Sequence, residues 1–280
     1  MTCHGTKSIV LKLVGMEKEK KIAIRVEDLF FYYVTPEKKP LFPNLKLPFK
    51  KITFEKNVAL NHVSVGIESG KITALLGRNG SGKTSLIKLI TGARLPHSGK
   101  VSVFGEPPDK IRHRLGLCLG GTLVYHRLTA RENLEYFAKL YGVVDTDNRI
   151  NELCEMLDLR THLDQMVESF SFGMKMKLAL ARSMINSPEL LILDEPTLGI
   201  DIEHAAHIRT FIRALKCTVL LTTHYMEEAD ALADDVCFID HGNILTHGTK
   251  AMVLGRYGAK NIPEAFTAAI TSPTQLRKVS

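Results

Sequence analysis

Gly77-Arg78-Asn79-Gly80-Ser81-Gly82-Lys83-Thr84 has the spacing G-x-x-x-x-G-K-[ST], the pattern of a loop that wraps phosphate. Its glycines let successive backbone N–H groups turn inward around anionic oxygens, and a helix starting there adds the positive end of its dipole. In such a loop Lys83 neutralises the β- and γ-phosphates and the Thr84 hydroxyl ligates Mg2+. Gly77, Asn79, Gly80, Ser81, Gly82 and the following Ser85 are the remaining candidate contacts. The mechanism needs a strand before the loop and a helix after it. Lys71 to Leu76 reads as that strand, and from Ser81 the pattern turns helical, with Leu86, Ile87, Leu89 and Ile90 on an inner face.

Two further strand ends carry polar chemistry. Leu190 to Leu193 is an apolar strand that ends in Asp194-Glu195. An acid at the C-terminal edge of a parallel strand beside a phosphate loop can hold Mg2+, which is the role expected of Asp194. Glu195 is then placed to polarise the water that attacks the γ-phosphate. Thr218 to Thr223 reads as a strand that delivers His224 to the same edge as a γ-phosphate contact.

Working outward, Ile22 to Leu29, Val58 to Ile67, Val101 to Phe104 and Val236 to Ile239 read as further strands. Short apolar strands alternating with helical patterns imply an α/β fold with a mostly parallel sheet covered on both faces. Between Arg112 and Ser183 no long β run occurs, and Leu134, Phe137, Ala138, Tyr141, Leu153, Met156 and Leu157 fall at helical spacing. The organisation expected is an extension at 1–21, a core at 22–111 and 184–250, an inserted helical subdomain at 112–183 and a tail at 251–280. Thr35 to Lys56 interrupts the core with four prolines among lysines and large apolar residues, and reads as a loop or excursion rather than core sheet.

Composition excludes other classes. The chain has 280 residues, 45% hydrophobic and 24% charged, which is globular rather than disordered or fibrous. No apolar run approaches membrane-spanning length, and Met1 to Lys21 lacks the apolar stretch of a signal peptide; a chain that neither spans a membrane nor is secreted is expected. Five scattered cysteines without paired or metal-ligand spacing read as free thiols in a reducing compartment. The formal charge of +7 is concentrated: residues 1–57 hold 12 Lys/Arg against 6 Asp/Glu, and the other 223 hold 25 against 24. The body is nearly neutral, and the basic N-terminal segment could face anionic lipid, nucleic acid or an acidic partner; for the chain as a whole no nucleic-acid partner is expected.

Phe170-Ser171-Phe172-Gly173-Met174-Lys175, about 20 residues before Asp194 and ahead of a helix read as Met176 to Met184, resembles the signature of the ATP-binding cassette, usually Leu-Ser-Gly-Gly-Gln. With the motifs above, the chain from Ile22 to Gly248 resembles the ATP-binding subunit of an ATP-binding cassette (ABC) transporter. The resemblance implies a P-loop NTPase core with an inserted helical subdomain, and ATP and Mg2+ as ligands. It implies Mg2+-dependent ATP hydrolysis, with Lys83, Glu195 and His224 as catalytic residues. Ser171 and Gly173 would contact the γ-phosphate held by a second cassette in a head-to-tail dimer, and Asp201, in Leu198-Gly199-Ile200-Asp201, would cross that interface. Tyr33 would stack on adenine, with Tyr32 as the fallback, and His224 matches the switch histidine. Partners implied are integral-membrane permease subunits and a second cassette, expected as a homodimer with a heterodimer open. The location implied is cytoplasmic, on the inner face of the cell membrane.

Arg127-Leu-Thr-Ala-Arg-Glu-Asn-Leu134, with Tyr141-Gly142 downstream, resembles the branch of drug, sodium and polysaccharide exporters. Two positions depart from the family: Gly120 stands where a glutamine normally approaches Mg2+ and the permease, and Met174 replaces the terminal glutamine of the signature. Cassette proteins of translation usually carry two cassettes, and those of DNA repair add long coiled coils. This chain has one phosphate loop, one signature and no sustained heptad. A regulatory cassette without turnover would be favoured by a missing base, but Glu195 is present.

Overall fold

The computed structural model describes residues 21–40, 50–119 and 123–271; Gly120 and the centre of the Thr35 to Lys56 excursion lie outside them. The strands are β1 (Ile22–Pro40), β2 (Lys50–Glu68), β3 (Ile72–Leu76), β4 (Ser98–Val103), β5 (Leu115–Cys118), β6 (Leu190–Asp194), β7 (Thr218–Thr223), β8 (Asp235–Asp240) and β9 (Asn243–Thr249). They form an antiparallel sheet ordered β2-β1-β4 and a second sheet ordered β5-β6-β7-β3-β8-β9. The second is parallel from β5 to β8, and only β9 runs antiparallel to its neighbour. The fold is the α/β class expected.

Burial on both faces explains the continuous apolar runs. Every residue of β3 and β7 is buried. Successive strand residues point to opposite faces, so Leu191, Leu193, Val219 and Leu221 join one core and Leu190, Ile192 and Leu220 another. The latter core holds Leu86, Ile87, Leu89 and Ile90 of α1 (Lys83–Ile90), covered by Ile24, Val26, Leu29, Leu60 and Val63 of the antiparallel sheet. The former holds Leu134, Ile150, Leu153, Met176 and Leu180 from α2 (Ala130–Tyr141), α3 (Thr146–Met156) and α4 (Phe172–Met184), together with Ile208 and Phe211 of α5 (Ile202–Ala214). The exporter-like motif around Arg127 does local structural work. Thr129 and Glu132 form a capping box at the start of α2, and buried Asn133 bonds Tyr125 N–H, Tyr125 O and Thr129 O.

Four expectations need correction. The described parts of Thr35 to Lys56 are not loop: they prolong β1 and β2 into a ribbon paired from Thr35↔Glu55 to Pro40↔Lys50. Beyond Phe30, β1 no longer pairs with β4, so one edge of the ribbon strand is open and proline is tolerated there. Leu115–Cys118, inside the stretch expected to be helical, is a strand of the main sheet; four residues are too few to display a period. The signature helix starts at Phe172, not Met176, so Gly173 sits in its first turn. The stretch read as a tail folds as α7 (Lys250–Tyr257) and α8 (Ile262–Thr271). Val253, Ile262, Ala265, Phe266 and Ala269 pack with Ala229 of α6 (Met226–Leu232) on Ala74, Leu76 and Phe238.

Candidate functional site

At the C-terminal edge of the parallel strands lies a cavity of about 510 Å³. Its floor is Asn79, Gly80, Ser81, Gly82, Lys83, Thr84 and Ser85; its walls are Asp194, Glu195, Leu198 and His224 on one side and Tyr33, Asn57, Val58 and Ala59 on the other. Chain segments about 150 residues apart thus converge because β3, β6 and β7 are neighbours in one sheet.

The loop is preorganised. A Cβ at Gly77 would lie 2.3 Å from Ile239 O and 2.4 Å from Ser81 Oγ, and Gly82, at φ +112°, would bring one 2.6 Å from Ala59 O. Only glycine permits this approach and this dihedral. Gly82 caps α1 without any side-chain hydrogen bond, leaving the first-turn amides to a ligand. Buried Ser81 Oγ has no hydrogen-bond partner. Lys83, 7% exposed as a residue, donates its ammonium to Gly77 O at 2.7 Å and Arg78 O at 3.2 Å. Burial pushes its pKa below the ordinary lysine value, opposed by the Glu195 and Asp194 carboxylates. Uncapped amides, an orphaned hydroxyl and a buried cation fit a polyphosphate.

Asp194 ends β6 and accepts a hydrogen bond from the Thr222 hydroxyl of β7. Its carboxylate and the Thr84 hydroxyl supply hard oxygen donors to one cavity, the chemistry of a Mg2+ completed by phosphate and water. Among the described residues no cluster of three or more His, Cys, Asp or Glu is built for a metal. Glu195 adopts φ +55° while its N–H donates to Thr222 O at 2.9 Å. Its carboxylate lies 2.7 Å from His224 Nδ1. Thr197 donates to Glu228 at 2.6 Å. Glu228 is 4% exposed, and burial raises its pKa.

Tyr33 is half-buried, its hydroxyl 3.3 Å from Ser85 Oγ and its ring edge-on to Phe31. Tyr32 is outside the cavity lining, stacked on His97 at 3.7 Å with Lys56 over its ring. Tyr33, not Tyr32, faces the cavity.

Ser171, Gly173 and Asp201 do not line it. Ser171 caps α4 by accepting from Met174 N–H at 3.2 Å. Asp201 caps α5 through His204 N–H at 3.0 Å, and its carboxylate is also 2.9 Å from His204 Nδ1. A Cβ on Gly173 would come 2.9 Å from the His204 ring, so the two motifs adjoin.

Asn57, Val58, Ala59, Thr222 and Glu228 were not singled out from sequence, and Leu198 entered only as the start of the motif that ends in Asp201. For Asn57 the signal available was register, since it opposes Tyr33 across β1 and β2. Thr222 and Glu228 gave no local signal, because their partners belong to other segments.

Residues 60–198 match the family model described as ABC transporter. The chain is 38% identical over 200 residues to the ABC transporter ATP-binding protein NatA of Bacillus subtilis (strain 168), covering 68% of this chain and 81% of the other. It is 35% identical to Nod factor export ATP-binding protein I of Rhizobium sp. (strain N33), over 77% of this chain and 74% of that one. Among solved structures, an ATP binding subunit of an ABC transporter shares the fold, with a TM-score of 0.73 and 24% identity over 89% of this chain and 99% of that one.

Proposed function

The chain belongs to the family of ABC transporter ATP-binding proteins, and from that premise we propose that it is the Mg2+-dependent ATPase subunit of an exporter. It pairs head-to-tail with a second cassette and drives separate membrane permease subunits from the inner face of the cell membrane. The observation that carries this reading is the convergence of Lys83, Thr84, Asp194, Glu195 and His224 on one cavity with Tyr33 at its rim. The export direction rests on relatives such as the Nod factor export protein. No helix among the described residues is long and apolar enough to cross a membrane, which suits a motor acting on separate spanning subunits.

Tyr33 stacks on the base, while the loop amides and Lys83 bind the phosphates. Asp194 and Thr84 would hold Mg2+, which would supply positive charge against the polyphosphate. Glu195 accepts the proton of the attacking water, and its bond to His224 orients the carboxylate. The adjacent acids line the same cavity and serve different atoms, Asp194 the cation and Glu195 the water. The second half of the site comes from the partner cassette: Ser171, Gly173 and Asp201 lie off the cavity and serve the nucleotide held opposite.

Mixing two inactive variants tests the arrangement. Ser171→Arg damages the signature and spares the phosphate loop; Lys83→Ala does the reverse. Mixed dimers rebuild one intact composite site and regain ATPase activity. Activity no higher than the sum of the separate variants, with mixed dimers shown to form, overturns the head-to-tail reading.

A further inference from the structure

The outer wall of the cavity holds an amide that phosphate chemistry does not require. Asn57 pairs with Tyr33 in the β1–β2 register, and opposed residues of an antiparallel pair stand on one face, with Cβ atoms about 5 Å apart. Both line the cavity. Tyr33 is tied through its hydroxyl to Ser85. The Asn57 amide is tied as well: its Nδ2 donates to Thr35 Oγ1 at 2.8 Å. Thr35 follows Tyr33 by two residues on the same strand and shares its face. An asparagine amide has a donor end and an acceptor end. Thr35 holds one of the two amide N–H groups and fixes the orientation of the amide, whose carbonyl oxygen is the acceptor it offers to the cavity.

Resting on the reading of this cavity as a nucleotide site, we propose that Asn57, oriented by Thr35, reads the edge of the base on Tyr33 and selects ATP over GTP. Adenine offers an exocyclic amino group, which Oδ1 accepts. Guanine carries a carbonyl oxygen at the corresponding position, and two acceptors cannot bond. Stacking on Tyr33 is indifferent to this difference, because both purines present the same kind of π-face. Asn57 is a specificity residue and takes no part in phosphate transfer.

The test measures dissociation constants of the full-length chain for ATP and GTP in Mg2+-free buffer by calorimetry. One hydrogen bond gained and one acceptor clash avoided correspond to about a tenfold preference for ATP. Asn57→Ala brings the two constants within about twofold of each other. Thr35→Val narrows the ratio by freeing the amide, and Asn57→Asp, which keeps an acceptor, preserves it. Equal affinities in the wild type, a preference for GTP, or an Asn57→Ala variant that weakens both nucleotides with an unchanged ratio each overturn the proposal. Failure of the folded wild type to bind either nucleotide overturns instead the reading of the cavity on which it rests.

Discussion

Three helix N-termini carry the motifs proposed to meet phosphate, and they are built in two opposite ways. At α1 the cap is Gly82, without a side-chain bond; Ser81 Oγ is buried with no hydrogen-bond partner; and Lys83 is a buried cation beside two carboxylates. At α4 and α5 the caps are closed on themselves, Ser171 accepting from Met174 and Asp201 from His204. The first region leaves polar groups waiting for a ligand, an arrangement that costs stability in its absence. The second satisfies its groups locally and contributes stability as any capped helix does. Substitutions in the two regions therefore separate function from folding.

The largest effect belongs to the open region. Glu195→Gln keeps the shape of the side chain and loses its basicity, so turnover falls at least about a hundredfold while ATP still binds. Steady-state hydrolysis checks the first part. Size exclusion with ATP in Mg2+-free buffer checks the second, because the variant should elute as a nucleotide-held dimer. Unchanged turnover removes Glu195 from the role of base.

Lys83→Ala sharpens the contrast. Losing a charge-assisted contact to phosphate weakens ATP binding roughly tenfold to a hundredfold. Thermal stability of the nucleotide-free chain does not fall, because the substitution removes a charge that burial disfavours. A large drop in melting temperature breaks the idea that this region carries cost rather than support.

Ser171→Ala is the mirror image. It removes the cap of α4 and costs about 1 kcal/mol in denaturant unfolding, with ATP affinity of the single subunit unchanged. Should unfolding be unaffected, the cap at Ser171 does not stabilise the chain.

The smallest effects are on pH dependence, and the two regions have opposite signs. Glu228, bonded by Thr197, has its pKa raised by burial. The folded chain then holds a proton that the unfolded chain has released, and stability falls as pH rises from the ordinary carboxylate range through the raised value. Asp201 is fully exposed, and its pKa is lowered by hydrogen bonds from His204. Its small contribution is present above the ordinary aspartate value and fades as pH falls through the lowered one. Glu228→Gln flattens the alkaline-side slope in urea titrations at several pH values, whereas Asp201→Asn flattens only the acid side. Identical slopes in Glu228→Gln and the parent chain argue that Glu228 is ionised when folded.

The open region was largely legible before folding, since its loop is one run of eight residues whose glycines answer local steric demands. Asp194, Glu195 and His224 were legible for a related reason: each ends an apolar strand, and parallel strands deliver their C-terminal residues to one edge. The family likeness of Ser171 and Gly173 was also in the sequence, but their place in the first turn of a capped helix was not, because Met176 is simply the first strongly apolar residue after the true start. Likewise the apolar spacing of Ile262, Ala265, Phe266 and Ala269 was present in a stretch read as a tail.

Sequence alone determined the parallel α/β core and the phosphate loop, because periodic burial and close backbone approach are written in contiguous residues. Tertiary structure alone decided which tyrosine faces the cavity, that Asn57 stands opposite it, that Thr222 braces Asp194, that Glu195 meets His224 and that Thr197 meets Glu228. Those relations depend on strand register and on contacts between segments about 20 to 30 residues apart. No single window of sequence records a pairing across a sheet.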